Sequence, residues 1–238
     1  NKKMKNNPSI TLVIPTINEI EGLKVVFPRI DRSLFDEILV IDANSTDGTI
    51  EYISQYSDVT LIRQKSKGMQ NAMVEVLDYV DSEYIIEFSP DNNCIPEQLP
   101  DIVEKIKMGY DIVVVSRYLN GAKSYDDTIV SGFGNWVFSK MIRYLGKFPV
   151  TDALTMYKGY KSIIPKEKLF KKYLSTQYIY EPLLSAYCNI QDYKYFEIPG
   201  DEPARIGGAS TLPVFKAGLC VSLLIIRLYI KKVFKIVL

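Results

Sequence analysis

The sequence predicts an α/β fold, a mostly parallel sheet flanked by helices, and three observations predict it. Short runs rich in Ile and Val recur through the first half, segments with helical apolar spacing stand between them, and polar turn-forming residues follow the runs. The runs are Ile10–Ile14, Glu37–Ile41, Thr60–Ile62, Tyr84–Phe88 and Asp111–Val115. None shows sustained polar alternation, which is how a strand buried on both faces reads. The segments Glu21–Leu34, Thr49–Tyr56, Met69–Val80 and Pro96–Met108 have the length and 3.6-residue apolar spacing of crossover helices. In such an array ligands bind beyond the carboxyl ends of the strands.

Composition narrows the chemistry. The 238 residues are 47% hydrophobic and 24% charged, enough to bury a core and cover it. Lys and Arg number 29 against 28 Asp and Glu, so the net charge of +1 offers no global field for a nucleic-acid backbone, and no nucleic-acid partner is expected. Histidine is absent, which excludes Ser-His-Asp catalysis, imidazole bases and imidazole zinc sites. Cys94, Cys188 and Cys220 are odd in number and scattered, the pattern of reduced thiols in a cytoplasmic chain. The apolar run behind the basic start is about five residues, too short for a signal-peptide core. Ala217–Ile226 is ten uncharged residues, against roughly 20 needed to span a bilayer. The expectation is a body that is neither exported nor membrane-spanning.

The residues after the strands are polar in a particular way. Pro15-Thr16-Ile17-Asn18-Glu19 follows the first, Asp42-Ala43-Asn44-Ser45-Thr46-Asp47-Gly48-Thr49 the second, and Ser89-Pro90-Asp91-Asn92-Asn93 the fourth. Carboxylates and amides suit ribose hydroxyls, the donor edge of a base and a hard divalent cation, but suit bare phosphate poorly unless a metal intervenes. A nucleotide diphosphate with Mg2+ or Mn2+ fits that set. Singly, each loop reads equally as a turn or a helix N-cap; three at equivalent strand ends favour a site.

At these residues the chain resembles the family 2 inverting glycosyltransferases of GT-A (Rossmann-like) fold, in the dolichol-phosphate mannosyltransferase-like branch. TLVIPTINE resembles the family's opening strand and P-x-x-N-E turn, and ILVIDANSTDGT its second strand and D-[DA]-x-S-x-D-G-T segment. SPDNN stands where the family has its metal-binding D-x-D loop, with Ser89 in place of the first Asp. The resemblance implies that Pro15, Thr16, Asn18, Glu19 and Asp42 hold the nucleoside, and that Asp91 and Asn93 hold Mg2+ or Mn2+, Asp91 also facing the donor. Glu87, deeper in its strand, reads as packing or a salt bridge. Ser116-Arg117-Tyr118 resembles the family's G-S-R-Y, implying that Arg117 meets a diphosphate or acceptor phosphate. VTDALTMYKGY resembles V-x-D-x-x-[SG]-x-x-x-[YF] and places Asp152 near the acceptor, with Thr155 and Met156 replacing Ser-Gly. EIPGDEPARIGGASTL resembles I-P-…-R-x-x-G-x-S-K, implying a mobile phosphate clamp at Arg205 and a substrate contact at Ser210. Asp152, Arg117 and Arg205 are thus the implied catalytic group.

A division is expected between residues 1–211, the transferase domain, and 212–238, which carry Lys216, Arg227, Lys231, Lys232 and Lys235 and no acid. On a helical wheel Leu223, Ile226, Ile230, Val233 and Val237 form one stripe and Arg227, Lys231 and Lys235 another, the pattern of an interfacial helix. On an anionic cytoplasmic leaflet each lysine would contribute on the order of 1 kcal/mol. A helix docked on the sheet, or paired with a second copy in a homo-oligomer, is the alternative. The function so implied is metal-dependent inverting transfer of a sugar from a UDP- or GDP-linked donor to a polyprenyl phosphate-like lipid, at the inner face of the cell membrane. The alternatives are transfer to a sugar hydroxyl in surface glycan synthesis, and a degenerate nucleotide-sugar-binding protein. A nucleotidyltransferase is disfavoured because PTINEIEG is not a Gly- and Lys/Arg-rich triphosphate loop.

Overall fold

The structure, a computed structural model, describes residues 7–174, 179–207 and 213–233, the side chains of 231–233 excepted. Its seven strands are β1 (Ile10–Thr16), β2 (Glu37–Asp42), β3 (Thr60–Arg63), β4 (Tyr84–Glu87), β5 (Ile112–Ser116), β6 (Lys158–Lys161) and β7 (Tyr195–Pro199). They form one sheet in the order β3-β2-β1-β4-β6-β5-β7. Only β6 runs antiparallel, to both β4 and β5; the remaining pairs are parallel. With β1 between β2 and β4, the three polar loops seen in the sequence leave adjacent strands on one rim.

The eight helices among the described residues are α1 (Ile20–Val26), α2 (Thr49–Ile53), α3 (Met69–Val76), α4 (Leu99–Lys107), α5 (Ile129–Leu145), α6 (Lys168–Tyr173), α7 (Tyr180–Ile190) and α8 (Val214–Val233). They cover both sheet faces, so every residue of β1, β4 and β5 is buried. Val13, Leu39, Ile85 and Val114 face one core cluster with residues of α3, α5, α7 and α8; Leu12, Ile14, Val40 and Val113 face the other with residues of α1 and α4. Each such side chain contributes roughly 1.5–3 kcal/mol by leaving water.

The single helix expected over Glu21–Leu34 is a correction. The α-helix ends at Val26, and two 3-10 turns, Phe27–Arg29 and Arg32–Leu34, complete the crossover. Pro28 has no N–H to continue the ladder, and the Asp31 side chain caps the second turn by accepting from the Ser33 N–H. Strand β6 has no Ile/Val run; its KGYK stretch works because of Gly159, whose added Cβ would lie 2.6 Å from Ile102 Cγ2 of α4.

Helix α8 has one face docked in the core and one turned outward. Val221, Leu224, Ile225 and Leu228 dock into the core beside Ile142 and Leu145 of α5. Leu223, Ile226 and Ile230, the stripe picked out on the wheel, face outward. Residues 212 and 234–238 and the side chains of 231–233 lie outside the described set. Among the described residues no helix is long and apolar enough to cross a membrane.

Candidate functional site

The first two rim loops are laced together by their own polar side chains. Asp42, fully buried at the end of β2, accepts from Thr16 Oγ1 at 2.8 Å and from the Ser45 N–H at 2.8 Å. The Asn18 N–H donates to Ser45 Oγ and the Thr46 N–H to Asn18 Oδ1, both at 2.8 Å. The Glu19 N–H donates to Thr49 Oγ1, and the Ile20 N–H to Asp47 Oδ2. Asn18, Asn44 and Asn92, one in each rim loop, take φ of 54°, 64° and 77°, the left-handed region that asparagine tolerates better than most residues.

The third loop carries the charge. Asp91 is 3% exposed, and its Oδ2 lies 2.7 Å from Arg205 Nη1. The segment bearing Arg205 is held on this loop from both sides, since the Ile206 N–H donates to the Asp91 carbonyl and Asn92 Nδ2 to the Ala204 carbonyl. Asn93 Nδ2 donates to Asp126 Oδ2 at 2.9 Å, and Arg205 Nε lies 3.6 Å from the same oxygen. Asn93 Oδ1 and Glu19 Oε2 are buried without a hydrogen-bond partner. Burial, and then the charge of nearby Asp91, push the Glu19 carboxyl up to about 7.

Arg117, at the end of β5, anchors a second cluster that joins the first through the neighbouring Asp126 and Asp127. Its Nε and Nη2 donate to Asp152 Oδ2 and Oδ1 at 2.7 and 2.9 Å, and Nη1 donates to Glu202 Oε2 at 3.1 Å. Asp127 Oδ2 is 3.8 Å from Nη1. Asp152 is fully buried, and Asn135 Nδ2 of α5 and the Thr155 N–H also donate to its Oδ1. Burial pushes the Asp152 carboxyl up, but the charge and hydrogen bonds of Arg117 outweigh that and leave it below the usual carboxylate range.

The structure therefore brings Thr16, Asn18, Glu19 and Asp42 to one part of the rim, and Asp91, Asn93, Arg117, Asp152 and Arg205 to the adjoining part; Pro15 is buried in β1 beside them. Ser210 lies outside the described residues. Glu87 is fully buried beneath the rim, where Tyr160 donates to it, and burial and then Glu181 hold its carboxyl well above the usual range. Sequence reasoning missed Asp126, Asp127, Asn135 and Glu202. The signals were the acid pair in SYDDT and the acids of GDEP just ahead of Arg205.

The set has two guanidiniums, Arg117 and Arg205, among the carboxyls of Glu19, Asp91, Asp126, Asp127, Asp152 and Glu202. Such an excess of oxygen donors repels a bare diphosphate and accepts it with a cation. Among the described residues no three carboxylate or thiol side chains cluster as a metal cage. A divalent ion would have Asp91 and the unpartnered Asn93 Oδ1 as protein ligands, a set that fits an ion keeping most of its shell for phosphate oxygens and water.

Comparison with known proteins gives the family. The family described as Glycosyl transferase family 2 matches residues 11–171. The dolichol-phosphate mannosyltransferase of Pyrococcus furiosus is 35% identical over 121 residues, 48% of this chain and 34% of that protein. The undecaprenyl-phosphate mannosyltransferase of Micrococcus luteus is 26% identical over 162 residues, 64% of this chain and 66% of its own length. The chain thus spans about a third of the first relative and just under two thirds of the second. Among solved structures, glucosyl-3-phosphoglycerate synthase of Mycobacterium tuberculosis, in complex with Mn2+, UDP and glucosyl-3-phosphoglycerate, superposes with a TM-score of 0.63 at 15% identity, covering 96% of this chain and 81% of that one. Mannosyl-3-phosphoglycerate synthase of Rubrobacter xylanophilus gives 0.65 at 13% identity, covering 97% and 76%. At such identities these two likenesses speak to the GT-A fold alone.

Proposed function

Because the chain belongs to glycosyl transferase family 2, we propose that it is a glycosyltransferase that moves a sugar from a nucleotide diphosphate donor to a lipid phosphate of polyprenyl type, with inversion at the anomeric carbon. The observation that carries the choice of acceptor is the state of Asp152. Both its oxygens are taken by Arg117, Asn135 and backbone N–H groups, and its pKa is lowered, so it is a poor proton acceptor. An acceptor hydroxyl needs a base to take its proton; a phosphate monoester arrives ionised and needs none. The names of the relatives from P. furiosus and M. luteus, which specify dolichol- and undecaprenyl-phosphate, support the same reading.

In this proposal Pro15, Thr16, Asn18, Glu19 and Asp42 shape the nucleoside end, and Asp91 and Asn93 hold Mg2+ or Mn2+. The ion, when bound, neutralises the leaving diphosphate. Arg205 exchanges its contact with Asp91 for a phosphate, and Ser210 follows it on the same segment. Arg117 presents its guanidinium to the acceptor phosphate, held at a fixed angle by the bidentate Asp152. Asp152 is then a positioning residue and acts through Arg117. The donor base, UDP or GDP, is left to the assay. In the same proposal the enzyme works at the inner face of the cell membrane, with residues 1–211 as the transferase domain and 212–238 as a segment whose helix α8 also packs on that domain's core.

The test is transfer of radiolabelled sugar from UDP- and GDP-linked donors, with Mn2+ or Mg2+, to a polyprenyl phosphate in detergent. A lipid-extractable, acid-labile sugar phosphate is the expected product. Donor binding by calorimetry without transfer to any lipid phosphate, or transfer only to hydroxyl acceptors, overturns the proposal.

A further inference from the structure

We infer that Asp126, from the loop after β5, is the second carboxylate of the divalent-ion site and takes the part that Ser89 leaves unfilled in the SPDNN loop. The inference rests on the metal-assisted reading above, to which it adds a ligand, and is independent of the acceptor. With Ser89 carrying a hydroxyl, Asp91 and Asn93 offer an ion one negative charge between them. Affinity for a hard cation rises with the number of charged oxygen ligands, so a carboxylate brought from elsewhere in the fold repairs the loss.

An arginine marks the place. Arg205 Nη1 lies 2.7 Å from Asp91 Oδ2 and Arg205 Nε 3.6 Å from Asp126 Oδ2, so one guanidinium stands between the two carboxylates. That Nε is buried without a hydrogen-bond partner among the described residues, which means that Asp126 meets it as a charge and not as a fitted acceptor. Asn93 ties the two acids together. Its N–H donates to Asp91 Oδ1 and its Nδ2 to Asp126 Oδ2, while its Oδ1 is buried and unpartnered. Two carboxylates and an amide oxygen gathered around one positive charge are the donor set of a hard cation, and the guanidinium is the cation held there.

Arg205 can leave without dismantling the rest. The Tyr125 N–H donates to the Glu202 carbonyl at 2.8 Å and the Glu202 N–H to the Lys123 carbonyl at 2.9 Å, which zips the Asp126 loop to the strap ahead of Arg205. Beyond Arg205 the Ile206 N–H donates to the Asp91 carbonyl at 2.8 Å. The backbone is thus held on both sides, and only the side chain has to turn toward a phosphate. An ion with bonds of about 2.1 Å is smaller than a guanidinium, so the carboxylates must draw in around it. Gly22 seats the Asp91 backbone against α1, and the closing movement falls to Asp126, whose side chain is 31% exposed.

Mn2+ binding without nucleotide, read by electron paramagnetic resonance of the free ion, tests the inference by its sign. Asp126→Asn keeps an oxygen to accept from Asn93 and removes the charge. If Asp126 only anchors Arg205, the variant loosens the arginine and Mn2+ binds as before or more tightly; as a ligand, its loss should weaken Mn2+ binding about ten-fold or more. The loss should persist in an Arg205→Ala background, where no arginine is left to anchor, and Ser89→Asp should restore affinity to Asp126→Asn. Asp127→Asn removes a neighbouring charge engaged with Tyr118 and Arg117, and measures the effect of charge alone. Unchanged or tighter binding by Asp126→Asn, or an equal loss in Asp127→Asn, overturns the inference and leaves Asp91 and Asn93 as the ligands. If no variant takes up Mn2+ even with UDP or GDP present, the metal-assisted reading falls and the inference falls with it. If Mn2+ binding follows the expected order while no lipid phosphate is glycosylated, Asp126 stands as a ligand and the acceptor reading falls.

Discussion

At the scale of single residues, the pairing of Arg205 with Asp91 sets a side-chain cation on the carboxylate to which a metal would bind. Ser89 removes the neighbouring carboxylate, so Asp91 has one charge to share between two cations. Replacing Arg205 by Ala should tighten Mn2+ binding in the absence of nucleotide by roughly five-fold, the equivalent of a partly exposed ion pair of about 1 kcal/mol, and should lower donor turnover. Electron paramagnetic resonance of free Mn2+ reads the first effect; unchanged affinity would show that Arg205 and the ion do not compete. Glu19 offers a pH test. Its folded pKa of about 7 lies above its ordinary 4.5, so between those values the folded state holds a proton that the unfolded state releases, and stability falls as pH rises through the window. Asp152, shifted the other way, loses its contribution only below the ordinary Asp range and does not mask the effect. Thermal melts from pH 5 to 7.5 should show the fall, and Glu19→Gln should flatten part of it. The place of Glu19 on the rim was legible in the sequence. Its closeness to Asp91 was not, because that depends on how α1 packs on a loop some 70 residues further along the chain.

At the scale of elements, β1, β2, β4 and β5 were legible because both-face burial leaves an uninterrupted apolar signature, whereas β3, read from the same kind of run, is an edge strand with Thr60 and Arg63 exposed, and β1, β2 and β4 delivered the three rim loops to one edge. What was not legible was written in contacts. KGYK becomes a strand through the closeness of α4 over Gly159, and the crossover after β1 is split by Pro28. Gly22 is a further case, with direct bearing on the site. A Cβ there would lie 2.3 Å from the Pro90 carbonyl oxygen and 3.0 Å from Asp91 Cα, so α1 seats the Asp91 loop only while position 22 is bare. Gly22→Ala should cost about 1–3 kcal/mol by overpacking and weaken metal-dependent donor binding, seen as a lower melting temperature together with a higher donor Kd by calorimetry. A loss of stability with donor affinity unchanged would mean that the loop moves as a unit and keeps its ligand geometry.

At the scale of the molecule, charge is divided between two surfaces that share one helix: an acid-rich rim around Arg117 and Arg205, and the acid-free outward faces of α5 and α8. Near-zero net charge hid this division, because the excesses cancel in the sum and only the fold separates them. Asn135 is the joint between the surfaces. Buried in α5, it donates to Asp152 Oδ1 at 2.8 Å and accepts from the Leu154 N–H at 3.2 Å, tying the helix to the loop that fixes Arg117. Asn135→Ala leaves buried partners unmet, at a cost of about 1–3 kcal/mol, which for a chain of this size lowers Tm by roughly 2–4 °C per kcal/mol. A merely structural role would stop there, with the surviving folded enzyme kinetically normal. If α5 orients Arg117 through Asn135, the variant should also raise KM for the lipid phosphate far more than KM for the nucleotide donor, and Asn135→Gln, which keeps the amide but moves it by a methylene, should recover stability before it recovers acceptor KM. Equal changes in both KM values would place Asn135 in the packing of the domain and not in the path between helix and acceptor.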